Sequence, residues 1–198
     1  MPETTWPKRR SFLERVRDPD ARRALIIRLA VTVAAVVAVF ILGWALAGSR
    51  FDARFRVVYS LDRRQNDLEV IKVINSASKY AYFAVYYFTQ NDIADALIRA
   101  EKRGIAVRGI IDRDASTDVG KAVFDRLTAA GIPVEVQKHE DGIMHIKALV
   151  TDKAYASGSY NWTEAATDAN DEVLEIGTDP GVHDQYLSII KKVLQAND

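Results

Sequence analysis

The chain has 198 residues, room for one domain or for one domain with an appendage. Its 48% hydrophobic and 27% charged content is that of a packed globular protein. There is no cysteine, which excludes disulfides and thiolate metal sites.

The first element is an apolar run. Residues 29–47 carry no charge over 19 positions, near the length a helix needs to cross a bilayer, and Trp44 lies near the far end, where an interfacial aromatic is expected. Eight basic residues (Lys8, Arg9, Arg10, Arg15, Arg17, Arg22, Arg23, Arg28) precede it against four acids. That bias predicts a cytoplasmic N-terminus and export of everything beyond Ser49. A cleaved secretory signal ending at Ala45-Leu46-Ala47 predicts the same topology, and a buried soluble helix is a third alternative. The expected organisation is a basic segment (1–28), a transmembrane helix (29–47), a connector (48–56) and a working domain (57–198). Eight of the 27 basic and four of the 27 acidic residues lie before residue 49, leaving 19 against 23 in the remainder, a net of −4. A domain that grips a polyanion usually carries the opposite balance.

Phe55, Val57 and Tyr59 alternate as in a strand. Asn66 with Glu69 reads as an N-cap and capping-box pair opening a helix through Leu68, Ile71, Ile74 and Ala77. KYAYFAVYYFT is too apolar on both faces for an edge strand and predicts a central one, with one or two of its tyrosines lining a groove. Asn91 reads as the cap of a helix that Gly104 ends. IAVRGIID predicts a buried strand, RDAST a polar loop, VGKAVFDRLTAAG a helix closed by Gly131, and IPVEVQ a strand. MHIKALVT and AYAS read as a hairpin about Asp152-Lys153; DEVLEIGT adds a strand and Pro180 opens a last helix. This alternation implies an α/β domain with a mostly parallel sheet flanked by helices, preceded by one transmembrane helix.

Within MHIKALVTD, His145 and Lys147 are two apart and share a strand face. Alone, such a pair is more often solvated surface. An imidazole beside an ammonium nevertheless suits a phosphoryl group, since one nitrogen can attack phosphorus while the cation holds the oxygens. Asp152, at an odd offset from His145, is better placed as a turn residue bracing the site. His139 and His183 lack a lysine two positions on and are expected at the surface. Asp112, Asp114 and Asp118 lack the pattern of a calcium loop and are expected in loop and cap roles. Three scattered histidines make a poor zinc set. No metal and no cofactor are expected.

HIKALVTD, GSYNWTEAA (158–166) and NDE (170–172) together resemble the phospholipase D superfamily, with its His-x-Lys-x4-Asp, Gly-Ser-x-Asn and downstream Asn/Glu. The resemblance runs from about Val57 to Val193 and is strongest to small, single-motif bacterial members. Five residues separate Asp152 from Gly158 where many members have six, which implies a tighter hairpin. The resemblance implies a phospholipase D-like α/β/α sandwich and a metal-independent phosphodiesterase. His145 would form a phosphohistidine, Lys147, Ser159 and Asn161 would hold phosphate oxygens, and Glu172 would fix a histidine tautomer. Asp152 completes the catalytic motif. The mechanism uses two histidines, one to attack and one to protonate the leaving oxygen. A single motif therefore implies a homodimer that brings two His145 side chains to one phosphate. The expected location is a bacterial inner membrane, with the catalytic domain outside the cytoplasm and residues 29–47 in the bilayer. The expected substrate is DNA or RNA, with Arg103, Arg108, Arg113, Lys121 and Lys138 available as a basic rim. Membrane phospholipid is the alternative, and a non-catalytic tethered binding module a second one.

Overall fold

The computed structural model describes residues 19–48, 55–117, 120–138 and 140–197, with the backbone alone for 44–48 and 117. Expectations for Trp44, Asp118, His139, residues 1–18 and most of the connector lie outside the described residues. The chain divides into two units, 1–52 and 53–198.

The first unit holds helix α1 (Pro19–Gly48). Thirty helical residues span about 45 Å, more than the roughly 30 Å of a bilayer's hydrocarbon core. Apolar side chains occupy every face and are exposed, Val39 at 71% and Phe40 at 78%. The helix is long and apolar enough to cross a membrane by length and composition.

The second unit is one seven-stranded sheet between helices. Its strands are β1 (Phe55–Tyr59), β2 (Tyr80–Val85), β3 (Ala106–Ile111), β4 (Val134–Val136), β5 (Lys147–Thr151), β6 (Tyr155–Gly158) and β7 (Val173–Gly177), in the order β1-β7-β6-β5-β2-β3-β4. Between β1 and β2 lie the short α2 (Ser60–Arg63) and α3 (Asn66–Ser76). Then α4 (Asn91–Lys102) precedes β3, and α5 (Arg113–Thr117) and α6 (Lys121–Ala129) precede β4. A short α7 (Glu164–Asp168) precedes β7, and α8 (Pro180–Gln195) closes the chain.

The sheet is mixed rather than mostly parallel. Only β2–β3 and β3–β4 pair in parallel, because only those connections carry crossover helices. The hairpin at Asp152-Lys153 makes β5–β6 antiparallel, and β5–β2, β6–β7 and β7–β1 follow suit. β2 is central as expected: it is paired on both sides and buries Ala81, Phe83, Ala84 and Val85. One core layer lies under α3, α4 and α6, with Phe83, Phe88, Leu97, Leu149 and Trp162. The other lies under α8, where Ile190 and Leu194 meet Ile110, Ala148 and Val150.

Several local expectations change. Asn66 is a fully buried first residue of α3 rather than its cap, and Glu69 pairs with Arg56 and Lys72 instead of closing a capping box. Leu68 is 44% exposed, since the buried row of α3 is Asn66, Val70, Val73 and Ile74. Asn91 begins α4, with Gln90 as the cap, and accepts a hydrogen bond from Arg126. RDAST is a helical turn, for which Asp112 Oδ1 accepts the Asp114 N–H at 3.0 Å. Gly104 and Gly131 do follow helix ends at φ 83° and 84°. On β1, Phe55 and Val57 face outward and Val58 packs on the core. His183 is half-buried: Nε2 lies 2.8 Å from the Thr151 carbonyl and 3.3 Å from Tyr80 Oη, tying α8 to the β5–β6 turn.

Candidate active site

His145 sits just before β5, and its backbone is pinned on both sides. Asp112, buried at the end of β3, accepts the Met144 N–H through Oδ2 at 2.8 Å. The Tyr86 N–H, at the end of β2, donates to the Ile146 carbonyl at 2.9 Å. The segment therefore crosses the ends of two adjacent parallel strands, where α/β sheets place their ligands. The His145 side chain is exposed and lies against the Tyr86 ring, with centroids 4.7 Å apart.

Lys147 is buried at 6% exposure, with Nζ donating to the His145 carbonyl at 2.9 Å and lying 5.0 Å from the centre of the Tyr86 ring. Burial pushes its pKa down, and the nearby Glu172 carboxylate partly opposes that shift. The expected tyrosine lining is thus Tyr86, packed edge-on against Tyr87.

Glu172 is buried beside β7, where its carboxylate accepts from Ser159 Oγ and, at 3.3 Å, from Asn170 Nδ2. Its N–H donates to Ser60 Oγ at 2.9 Å. The neighbouring Asp171 turns away and accepts from Tyr59 Oη, so the two acids part as strand parity requires. Ser159 is held twice more, its N–H on the Val173 carbonyl and its Oγ accepting the Val173 N–H, both at 3.1 Å. Gly158 permits this approach: φ is 152°, and a Cβ would come within 2.2 Å of the Val173 carbonyl oxygen. Asn161 accepts the Tyr87 N–H through Oδ1 at 3.4 Å, leaving its amide hydrogens as donors. The backbone of Trp162 is stitched to Tyr87 and Thr89, which sets this loop against the end of β2.

Thus His145 and Lys147 share the Tyr86 ring, Lys147 feels Glu172, Glu172 holds Ser159, and Asn161 joins through Tyr87. Asp152 is not with them. It lies past the far end of β5, about 17 Å along the strand from Lys147 at some 3.3 Å per residue. There it accepts from the Ser78 N–H at 2.8 Å, Ser78 Oγ at 2.6 Å and the Lys79 N–H at 3.0 Å, and these bonds hold its carboxyl well below the usual range against the effect of burial. Its role is to clamp the hairpin to the start of β2. The expected bond from Glu172 to a histidine is not formed within one chain among the described residues.

Sequence reasoning missed two contributors. Asp112 was expected in a loop or cap role and does cap the turn at Asp114, but its second bond, to the Met144 N–H, was not foreseen, although its place at the C-terminal end of a buried parallel strand is itself a signal. Ser60, 112 residues from Glu172, carries no local signal at all.

A cleft of about 440 Å³ opens beside His145, between residues 143–146 and α8. Ile143, Ile146, Ile189 and Val193 line it, with Gln137 and Lys192 among its polar residues.

A mixed sheet sandwiched by helices, with a His-x-Lys pair where a central hairpin begins and a Ser/Asn loop packed against it, is the architecture of a phospholipase D-like domain. Residues 70–194 match the family described as "Cardiolipin synthase, PLD-like domain", and the chain belongs to the phospholipase D superfamily. It is 31% identical over 107 residues to a mitochondrial cardiolipin hydrolase of Chlamydomonas reinhardtii, covering 54% of this chain and 48% of that protein. It is 33% identical over 115 residues to a phospholipase D of Rickettsia conorii, covering 58% and 56% respectively. The chain spans about half the length of these curated relatives. The solved structure of the phospholipase D family member Nuc from Salmonella typhimurium superposes with a TM-score of 0.68 at 27% identity, covering 73% of this chain and 95% of that one.

Proposed function

We propose that the protein is a membrane-anchored phosphodiesterase working through a phosphohistidine. The observation that carries this is an exposed His145 imidazole on a doubly pinned backbone, resting on the same Tyr86 ring as the buried ammonium of Lys147, which bonds the His145 carbonyl. A His145 nitrogen attacks phosphorus and the P–O bond to the leaving alcohol breaks. Lys147 and the amide of Asn161 neutralise and orient the phosphoryl oxygens, with Ser159 at the same rim. A second histidine protonates the departing oxygen, then takes a proton from the water that cleaves the P–N bond and regenerates His145. His145 of a second copy fills that role in a twofold homodimer, and Glu172, already fixed by Asn170 and Ser60, fixes a histidine tautomer across the pair. Helix α1 sets the domain at a bilayer, N-terminus inside and catalytic unit outside the cytoplasm of a bacterium.

Phospholipid is the favoured substrate over nucleic acid. The anticipated basic rim is largely spent: Arg108 pairs with Glu135, Arg113 with Asp114 and Lys121 with Asp125. Ile143 and Ile189 stand 50% and 48% exposed at the cleft beside His145 instead. The test is the full chain in detergent with excess EDTA, wild type and His145→Ala, given phospholipid vesicles, single-stranded DNA and bis(4-nitrophenyl) phosphate. Wild-type-only cleavage, with acid-labile phosphate on the protein, is expected. Equal turnover by His145→Ala sinks the assignment, and cleavage of DNA alone moves the substrate to nucleic acid.

A further inference from the structure

Tyr86 touches both His145 and Lys147. The imidazole is exposed, and among the described residues no hydrogen bond orients it; it lies against the Tyr86 ring with centroids 4.7 Å apart and planes inclined at 53°. Lys147 Nζ lies over the same ring, 5.0 Å from its centre, inside the roughly 6 Å at which a cation feels an aromatic face. The ring is itself held in place. Tyr87 packs edge-on against it at 4.4 Å, and the Tyr86 N–H is bonded to the carbonyl of Ile146, the residue between the histidine and the lysine. That backbone bond survives any change of the side chain, so a substitution at Tyr86 removes the ring and little else. The other charged groups acting here are Glu172 on Lys147, and Asp112 and Asp114 on Tyr86. The hydrogen bond with Tyr87, assisted by these two aspartates, holds the Tyr86 phenol above its ordinary range, so the ring carries no charge of its own at neutral pH.

We propose that Tyr86 is a positioning residue of this site, its ring seating the His145 imidazole and favouring the charged states of both His145 and Lys147. The proposal rests on the phosphodiesterase reading and deepens it by giving a role to a side chain outside the His-x-Lys and Gly-Ser-x-Asn segments. When the neutral imidazole attacks, its nitrogen lone pair forms the P–N bond. The P–O bond to the leaving alcohol breaks, the departing oxygen takes a proton from the second histidine, and the phosphorylated ring is left cationic with its other N–H in place. The negative face of an aromatic ring attracts that cation more than the neutral imidazole before it, so the contact strengthens as the reaction proceeds. The same face supports the Lys147 ammonium in its buried position.

The experiment uses the full chain in detergent with bis(4-nitrophenyl) phosphate, and follows the His145 ring by NMR titration, assigned with His145→Ala. Tyr86→Leu lowers kcat by about tenfold with KM nearly unchanged, and moves the alkaline limb of kcat to lower pH by about half a unit. In the same variant the His145 pKa falls. Tyr86→Phe, which restores the ring without its hydroxyl, recovers most of the rate and both pH values. Fluorinated phenylalanines at position 86 keep the shape of the ring and drain its negative face, so kcat falls stepwise with fluorination in a chain that folds as wild type does. A Tyr86→Leu chain with wild-type kcat, alkaline limb and His145 titration overturns the proposal and leaves the phosphodiesterase reading standing. Equal losses in Tyr86→Phe and Tyr86→Leu, or no response to fluorination, overturn it as well. A wild type inactive on this diester, on phospholipid and on single-stranded DNA brings down the phosphodiesterase reading, and the His145 titration then decides the seat by itself.

Discussion

Asp112 Oδ2 accepts the Met144 N–H at 2.8 Å, so a carboxylate at the end of β3 sets the backbone position of the histidine that follows. The same carboxylate bonds the Asp114 N–H through its other oxygen, and the side chain is 1% exposed. Its function is to aim a neighbour, since it is shut away from solvent and substrate.

Asp112→Ala is therefore expected to lower kcat by about 10²-fold while leaving KM for a small diester nearly unchanged, the signature of a misplaced reacting group. Stability falls by about 1–3 kcal/mol, because the Met144 N–H loses its partner in a buried setting. Steady-state kinetics and urea titration check both, and a kcat near wild type would refute the aiming role.

Lys147→Met separates catalysis from stability. Activity drops by about 10²–10³-fold with the loss of the charge that meets the phosphoryl oxygens. Stability holds or rises, because burial disfavours the ammonium and a methionine of similar volume removes that penalty. Thermal unfolding of the variant below wild type would show that the Lys147 charge stabilises the fold.

In the proposed mechanism Lys147 acts as the ammonium, and burial depresses its pKa, so activity is expected to fall on the alkaline side before the ordinary lysine value of about 10.4 is reached. Glu172 raises that pKa. Glu172→Gln removes the support, and the alkaline limb of the residual kcat profile moves to lower pH. A limb that stays in place would detach it from Lys147.

Asp152 makes a prediction about pH and stability alone. Its folded pKa lies below the unfolded value near 3.9, so its contribution is fully present above that value and is lost as pH falls through the depressed one. Asp152→Asn is expected to cost about 1.5–3 kcal/mol at neutral pH, the scale of hydrogen bonds to a charged group, and to flatten the acid limb of stability. kcat on a soluble diester stays within about threefold of wild type, since the clamp at Ser78 and Lys79 lies a strand's length from Lys147. A far larger loss of kcat would place Asp152 in the chemistry.

Much of the fold was legible because its signals are local. The all-apolar run of β2, the glycines after α4 and α6, and the Asp-Lys turn of the β5–β6 hairpin each record a constraint that acts over a few residues. Sheet direction was legible only in part. A mostly parallel sheet with one hairpin was expected, but the chain after β4 returns without a crossover helix, and β5 inserts beside β2 with opposite sense. Helix caps were misassigned for a related reason. Asn66 and Asn91 have the right chemistry for capping, but tertiary packing buries the first and pairs the second with Arg126.

The sequence by itself determined the residue types and spacing of the site: a histidine and lysine on one strand face, a Gly-Ser-x-Asn segment after the hairpin, and a Glu172 separated from Asp171 by strand parity. It also determined the apolar length of α1. Tertiary structure alone decided which aspartate serves the histidine. Asp112 reaches Met144 across 32 residues, while Asp152, inside the motif, is carried to the opposite end of β5. Only the tertiary structure, too, joined residues 143–146 to α8 in an apolar cleft. The physical reason is common to both. Strand parity and turn chemistry act between neighbours in sequence, whereas a hydrogen bond or a cleft between distant segments exists only once the sheet order has set which strand ends lie side by side.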